Sequence, residues 1–241
     1  MGKVIAVTAG KGGSGKSTFA VNIGAALASR GASTLLLDLN CGERNLDIYM
    51  GLESKVLFDL SDVLTGMCGL DKAIVRDDRF KALSLLSCPQ YKSINGMTAT
   101  HIRAITERLR KNYEYIIIDC PGGVGNDFVS AVSSADTALI LVTPDYVSVR
   151  NSGVVDKRLE TLGITRRFLA VNLYDQSLIN QGILPDLNLI RNSFQIPFAG
   201  TMPFDHSILL GNNDGYPAMC SGNTQAARVF MTIALRVAGK L

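Results

Sequence analysis

Eight consecutive residues, Gly10-Lys11-Gly12-Gly13-Ser14-Gly15-Lys16-Ser17, fit the pattern GxxxxGK[ST] in full. Glycines let the backbone curl until successive N–H groups point into one concavity, a nest for phosphate oxygens. Within such a loop Lys16 is placed to reach β- and γ-phosphates, the Ser17 hydroxyl to ligate Mg2+, and Thr18 to close the α-phosphate side. A helix opening at this point adds its positive end. The loop also has the context this chemistry needs: an apolar, β-branched run (4–8) precedes it and an amphipathic stretch follows. The competing reading, a glycine-rich turn with no ligand, explains neither the lysine nor the context.

Two carboxylates end apolar runs. Tyr115-Ile-Ile-Ile-Asp119 places Asp119 where it could hold a Mg2+-bound water, and Cys120-Pro-Gly-Gly123 follows with a backbone free enough to sense a γ-phosphate. Leu35-Leu-Leu-Asp38 places Asp38 at a strand's carboxyl end, for a Mg2+-water or nucleophile-side role. A mere turn or cap residue is the alternative there. A nucleotide's phosphates and Mg2+ are what this set is suited to bind.

The elements that must carry these residues are short. Runs at 4–8, 34–38, 83–87, 115–119, 138–143, 168–172 and 198–202 read as strands, several apolar on both faces as buried parallel strands are. Helical spacing appears at 16–30 (Phe19, Ile23, Leu27, with Gly31 at the end), at 101–111 (Ile102, Ile105, Leu109, with Glu107 four residues before Lys111) and at 225–238 (Val229, Ile233, Val237). The alternation predicts an α/β fold of three layers, a P-loop NTPase with a mostly parallel central sheet and helices on both faces. Ligands bind such a sheet beyond the carboxyl ends of its strands. No repeat, low-complexity tract or linker divides the 241 residues, so 1–241 reads as one domain.

Composition sets outer limits. With 47% hydrophobic and 19% charged residues, the chain is too apolar for disorder, and its net charge of +3 leaves no strong nucleic-acid footprint. Five scattered cysteines with no CxxC argue against a disulfide framework or zinc ribbon and fit a reducing, cytoplasmic setting. The apolar run at the start is too short for a signal peptide.

Lys11 narrows the class. A second lysine early in the loop, in the form KGGxGK[ST], resembles the deviant Walker A ATPases of the MinD/ParA family, and the likeness runs over almost the whole chain. Gly42-Glu-Arg44-Asn-Leu-Asp47, Ser148-Val-Arg150-Asn-Ser152 and Pro203-Phe-Asp-His-Ser207 carry it further. The resemblance implies that Mg-ATP joins two copies face to face, with Lys11 crossing to the partner's phosphates. It implies that Asn172 reads the adenine edge and that Pro203, Phe204 and Asp205 line the base. In the family an aspartate facing the signature lysine stands where this chain has Asn151, so a Lys11 ion pair becomes at best a hydrogen bond.

Two departures shape the functional expectation. The family's water-aligning aspartate is Asn40 here, and an amide can orient a water but cannot accept its proton. Hydrolysis is therefore expected to be slow, with Lys11, Lys16, Asp38 and Asn40 as the catalytic set and Asp38 or Asp47 as conceivable stand-ins. The family also extends into a basic amphipathic membrane anchor, whereas this chain stops at Leu241 with only Arg228, Arg236 and Lys240 on its last helix; membrane contact is expected only through a partner. The favoured function is a weak ATPase that positions the division site or another cellular structure and is read or stimulated by a protein partner. Alternatives are a near-inactive ATP-binding scaffold of pilus-assembly type and a DNA-segregation ATPase. Basic residues on one helix (Arg103, Arg108, Arg110, Lys111) and in a cluster further on (Lys157, Arg158, Arg166, Arg167) leave DNA possible but not favoured. Cys41 and Cys120, just beyond Asp38 and Asp119, could approach each other, and His101 and His206 read as surface or packing residues.

Overall fold

The computed structural model describes residues 1–90 and 97–241. One eight-stranded sheet runs in the order β3-β4-β2-β5-β1-β6-β7-β8. Its strands are β1 (Lys3–Ala9), β2 (Thr34–Asp38), β3 (Ile74–Arg76), β4 (Leu83–Leu86), β5 (Tyr115–Asp119), β6 (Thr137–Val142), β7 (Arg166–Tyr174) and β8 (Phe198–Pro203). All neighbours are parallel except β3, which pairs antiparallel with β4 at one edge. All seven runs read as strands from the sequence are strands. The three-residue β3 is the addition, too short to carry a period of its own.

The described helices are α1 (Lys16–Ser29), α2 (Leu46–Tyr49), α3 (Leu60–Leu64), α4 (Leu70–Ala73), α5 (Ala99–Leu109), α6 (Asn126–Val132), α7 (Tyr146–Thr161), α8 (Gln176–Asn180), α9 (Leu187–Asn192), α10 (His206–Asn213) and α11 (Gln225–Ala238). They cover both faces of the sheet, because successive strand residues point to opposite sides. Ile5, Val7, Leu36 and Ile117 pack with Phe19, Ile23 and Leu27 of α1 and Phe230, Ile233 and Val237 of α11. Val4, Ala6, Leu35, Leu37, Ile116 and Ile118 pack on the other face with Ile102, Ile105 and Leu109 of α5. Burying each large apolar side chain contributes about 1.5–3 kcal/mol, so these two layers hold the sheet. The apolar face of α11 is turned onto the sheet, and no helix among the described residues is long and apolar enough to cross a membrane.

Local details differ from the sequence reading where side chains compete for partners. Glu107 pairs with Arg110 at 3.2 Å rather than with Lys111. Helix α5 opens at Ala99, capped by Thr98 with His101 reaching back to the Thr98 N–H at 3.3 Å, so His101 is a capping residue.

The sheet's register positions the site. Asp38 pairs with Asp119 across β2 and β5, and Val7 of β1 pairs with Asp119 from the other side. Asp38 and Asp119 lie two residues beyond Leu36 and Ile117, so both carboxylates point to the α1 face.

Candidate functional site

The chain leaves β1 at Ala9, curls through 10–15 and enters α1 at Lys16. Two glycines are required here. Gly15 has φ +90°, and a side chain on it would strike the Asn172 amide. Gly10 lies against the backbone of Asn151 and Ser152, and a Cβ there would overlap it. Ser152 in turn accepts the Gly10 N–H at 3.2 Å, and Asn172 Nδ2 donates to the Ser14 carbonyl at 2.9 Å. The loop is thereby pinned from α7 and from β7.

A cavity of about 370 Å3 opens above it. Of the residues singled out in the sequence, Gly13, Gly15, Lys16, Ser17, Thr18, Asn40, Asn172, Pro203, Phe204 and Asp205 line this cavity. Gly12 stands outside it, and Ser14 is buried with its hydroxyl donating to the Lys11 carbonyl at 3.0 Å. Glu43 and Asn45, from the segment after Asp38, line it too, and several further lining residues carry no sequence signal, among them Tyr49, Leu209 and Asn212. Asn212 Nδ2 donates to Thr18 Oγ1 at 2.9 Å, 194 residues away in the chain, a separation no spacing rule spans.

Beneath the cavity, Ser17 Oγ donates to Asp119 Oδ2 at 2.5 Å. The other oxygen, Asp119 Oδ1, is buried without a hydrogen-bond partner among the described residues. Burial, and then the charge of Asp38, push Asp119 up to about 8, with Ser17 and Lys16 working against the rise. Asp38 is pushed up to about 6, chiefly by burial, although its oxygens accept the Asn40 N–H at 3.0 Å and the Leu46 N–H at 3.4 Å. A hydroxyl and two facing carboxylates whose charged forms are disfavoured suit a hard divalent cation, which oxygen ligands bind and whose charge would restore ionisation. The residues fit Mg2+. Asp38 has a second task, clamping both ends of the 40–46 loop.

Lys16 lies at the base of the cavity, the residue as a whole only 8% exposed, and its ammonium makes no hydrogen bond or ion pair among the described residues. Phe204, half exposed, stacks edge-on against His206 with ring centroids 4.8 Å apart, and Asp205 caps α10 through the Ser207 N–H at 2.8 Å.

Three expectations are corrected by side-chain pairing. Lys11 Nζ forms an ion pair with Asp145 at 3.4 Å, the N-cap of α7, so the loss of an acid at Asn151 does not cost Lys11 an ion pair. Asp47 is no stand-in base, because it is buried and held by Arg44 at 2.7 Å. The carboxylate that does line the cavity is Glu43, whose Oε2 accepts from Asn40 Nδ2 at 2.7 Å. Cys41 lies against Cys88, not Cys120: its hydrogen bond is the chief cause, ahead of burial, of a rise in the Cys88 thiol pKa. Cys120 is fully buried behind Asp119.

The two basic clusters are partly neutralised from within. Arg110 is bound by Asp136 at 2.7 Å and Arg167 by Asp156 at 2.6 Å, while Arg103 donates to the Ser133 carbonyl.

A parallel sheet with a glycine loop between β1 and α1, a buried lysine in that loop and paired acids at the adjoining strand ends together define a P-loop nucleotide-binding protein. Residues 2–163 match the family model described as an AAA domain. The septum site-determining protein MinD of Synechocystis is 35% identical over 241 residues, covering all of this chain and 91% of that protein. The MinD chain in the MinC:MinD cell division complex of Aquifex aeolicus is 32% identical, with a TM-score of 0.90 over 99% of this chain and 97% of that one. MinD of Pyrococcus horikoshii complexed with Mg-ADP is 25% identical, with a TM-score of 0.89 over 98% of this chain and 96% of that one. The chain belongs to the MinD/ParA family of P-loop ATPases.

Proposed function

We propose that this protein is a Mg-ATP-dependent dimerising switch that helps place the division site, as the names of its septum-site-determining relatives describe. The observation that carries the phosphate site is Lys16. Its ammonium reaches the cavity from the glycine loop, close enough to Asp119 to work against the rise in that acid's pKa, yet with no anion hydrogen-bonded to it, so it is placed to take phosphate oxygens. ATP supplies the anion. Ser17 and Asp119, with Asp38 behind, would hold Mg2+, whose charge offsets that on the phosphate oxygens.

The remaining roles follow from position. Lys11 sits at the rim of the loop, where exchange of Asp145 for a phosphate of a second copy brings positive charge to the γ-phosphate from both sides. Asn172 and Pro203–Asp205 form the end of the cavity suited to a base, with Phe204 as its aromatic wall. A protein partner reads the ATP dimer, by analogy with the relative captured with MinC. Turnover is slow, because position 40 carries an amide in place of a water-aligning carboxylate.

The test combines three measurements on the full chain: binding of a fluorescent ATP analogue, light scattering with and without ATP and Mg2+, and steady-state phosphate release. Nucleotide binding, an ATP-dependent doubling of mass and slow release are expected. A protein that binds nucleotide but stays monomeric under ATP and Mg2+ refutes the switch.

A further inference from the structure

The cavity contains two carboxylates among its lining residues, Glu43 and Asp205. Asp205 Oδ1 is engaged by the Ser207 N–H and hydroxyl at the aromatic end. Glu43 stands on the same wall as Asn40, in the cavity that Lys16 and Ser17 also line. Its Oε2 accepts from Asn40 Nδ2 at 2.7 Å and from Asn45 Nδ2 at 3.5 Å. The backbone makes this approach: the Glu43 and Arg44 N–H groups both turn back to the Asn40 carbonyl at 3.2 Å, and Arg44 takes φ +42°. Arg44, its neighbour in the chain, makes no ion pair with Glu43, because Asp47 holds the Arg44 guanidinium. Asp38 fixes the loop at Asn40 and Leu46.

We propose that Glu43 aligns and deprotonates the water that attacks ATP, and that Asn40 is the residue that positions Glu43. This rests on the ATPase reading above. In the step, the water oxygen forms a bond to the γ-phosphorus and the bond from that phosphorus to the β,γ-bridging oxygen breaks. ADP leaves with the electron pair, and the water proton passes to the Glu43 carboxylate and then to solvent. The electrostatic effect of Glu43 on Asp119 is consistent with this proximity to the phosphate end. The amide at Asn40 and the carboxylate at Glu43 thus act as a unit, with the carboxylate reaching the water from three residues further along the loop. Glu43 is exposed and held by amides alone, so it is less rigidly placed than a buried acid, which accords with slow turnover.

The experiment compares wild type, Glu43→Gln and the reversed pair Asn40→Asp/Glu43→Gln for phosphate release, for affinity toward a fluorescent ATP analogue, and for the ATP:ADP ratio of nucleotide retained through gel filtration. Glu43→Gln is expected to lower release by about 100-fold, within the range typical of a lost general base, with affinity within about two-fold and ATP retained in place of ADP. The reversed pair, which returns a carboxylate to the loop and an amide to hold it, is expected to recover at least about ten-fold of that loss. Release by Glu43→Gln equal to wild type overturns the role of Glu43 while leaving the ATPase reading intact. A fall that the reversed pair does not recover reduces Glu43 to a loop contact and overturns its role as base. Wild-type protein that binds ATP and releases no phosphate overturns turnover and Glu43 together, and failure to bind ATP overturns the phosphate site itself.

Discussion

Lys11 Nζ lies 3.4 Å from Oδ2 of Asp145, and Asp145 is the N-cap of α7. Burial alone would raise the Asp145 pKa, but the Thr143 hydroxyl, the Ser148 N–H and the Lys11 charge hold it below the usual carboxylate range. Both side chains are partly solvated, at 48% and 33% exposure, so the pair is worth less than about 1 kcal/mol. A contact this weak keeps Lys11 folded back on its own chain without preventing it from leaving.

Lys11 should therefore decide assembly. Lys11→Ala is expected to remain monomeric under ATP and Mg2+ by light scattering. Asp145→Asn keeps a capping side chain and removes the competing charge, so it should dimerise at lower ATP concentration than wild type. Equal dimerisation by Lys11→Ala would dismiss the cross-dimer role.

Lys16→Ala separates binding from stability. Removing charge-assisted hydrogen bonds to phosphate should weaken ATP by about 10–100-fold in a titration. The nucleotide-free protein should melt no lower than wild type, because the ammonium makes no hydrogen bond or ion pair among the described residues that the fold would lose. A large fall in the melting temperature of the nucleotide-free variant would mean Lys16 supports the fold instead.

The paired acids predict a pH dependence. Asp119 at about 8 and Asp38 at about 6 ionise later in the fold than in the unfolded chain, where 3.8 is usual. Between those values the folded state holds more protons, so stability of the metal-free protein falls as pH rises from about 4 to about 8. Mg2+ with ADP should restore most of the loss at the alkaline end, and Asp119→Asn should flatten the slope. A metal-free melting temperature that climbs steadily across this range contradicts the assignment.

The P-loop helix depends on a remote contact. Phe19 of α1 meets Phe230 of α11 edge-to-face, with centroids 5.1 Å apart and planes at 76°, both fully buried. Phe230→Ala should cost about 3–5 kcal/mol in denaturant unfolding. Since Phe230 also lines the cavity, nucleotide affinity should fall as well. A loss under about 1 kcal/mol would show that the two helices pack independently.

Much of this protein was readable without coordinates, for one physical reason. A phosphate nest is built from consecutive backbone N–H groups, so Gly10–Ser17 states it locally, and buried parallel strands are apolar on both faces whatever pairs with them. That is why the loop, the seven strands, and Asp38 and Asp119 at strand ends could be named from residues 1–241 alone. Side-chain partnerships were decided by the tertiary fold. Lys11 meets Asp145, Cys41 meets Cys88, and Thr18 meets Asn212 because the sheet order brings distant strand ends together, and periodicity holds no information about strand order. Even Asn40 and Glu43, three residues apart, escaped the sequence. Their contact depends on a turn with Arg44 in left-handed backbone and on the two N–H groups that Asp38 holds, a geometry no repeating pattern encodes.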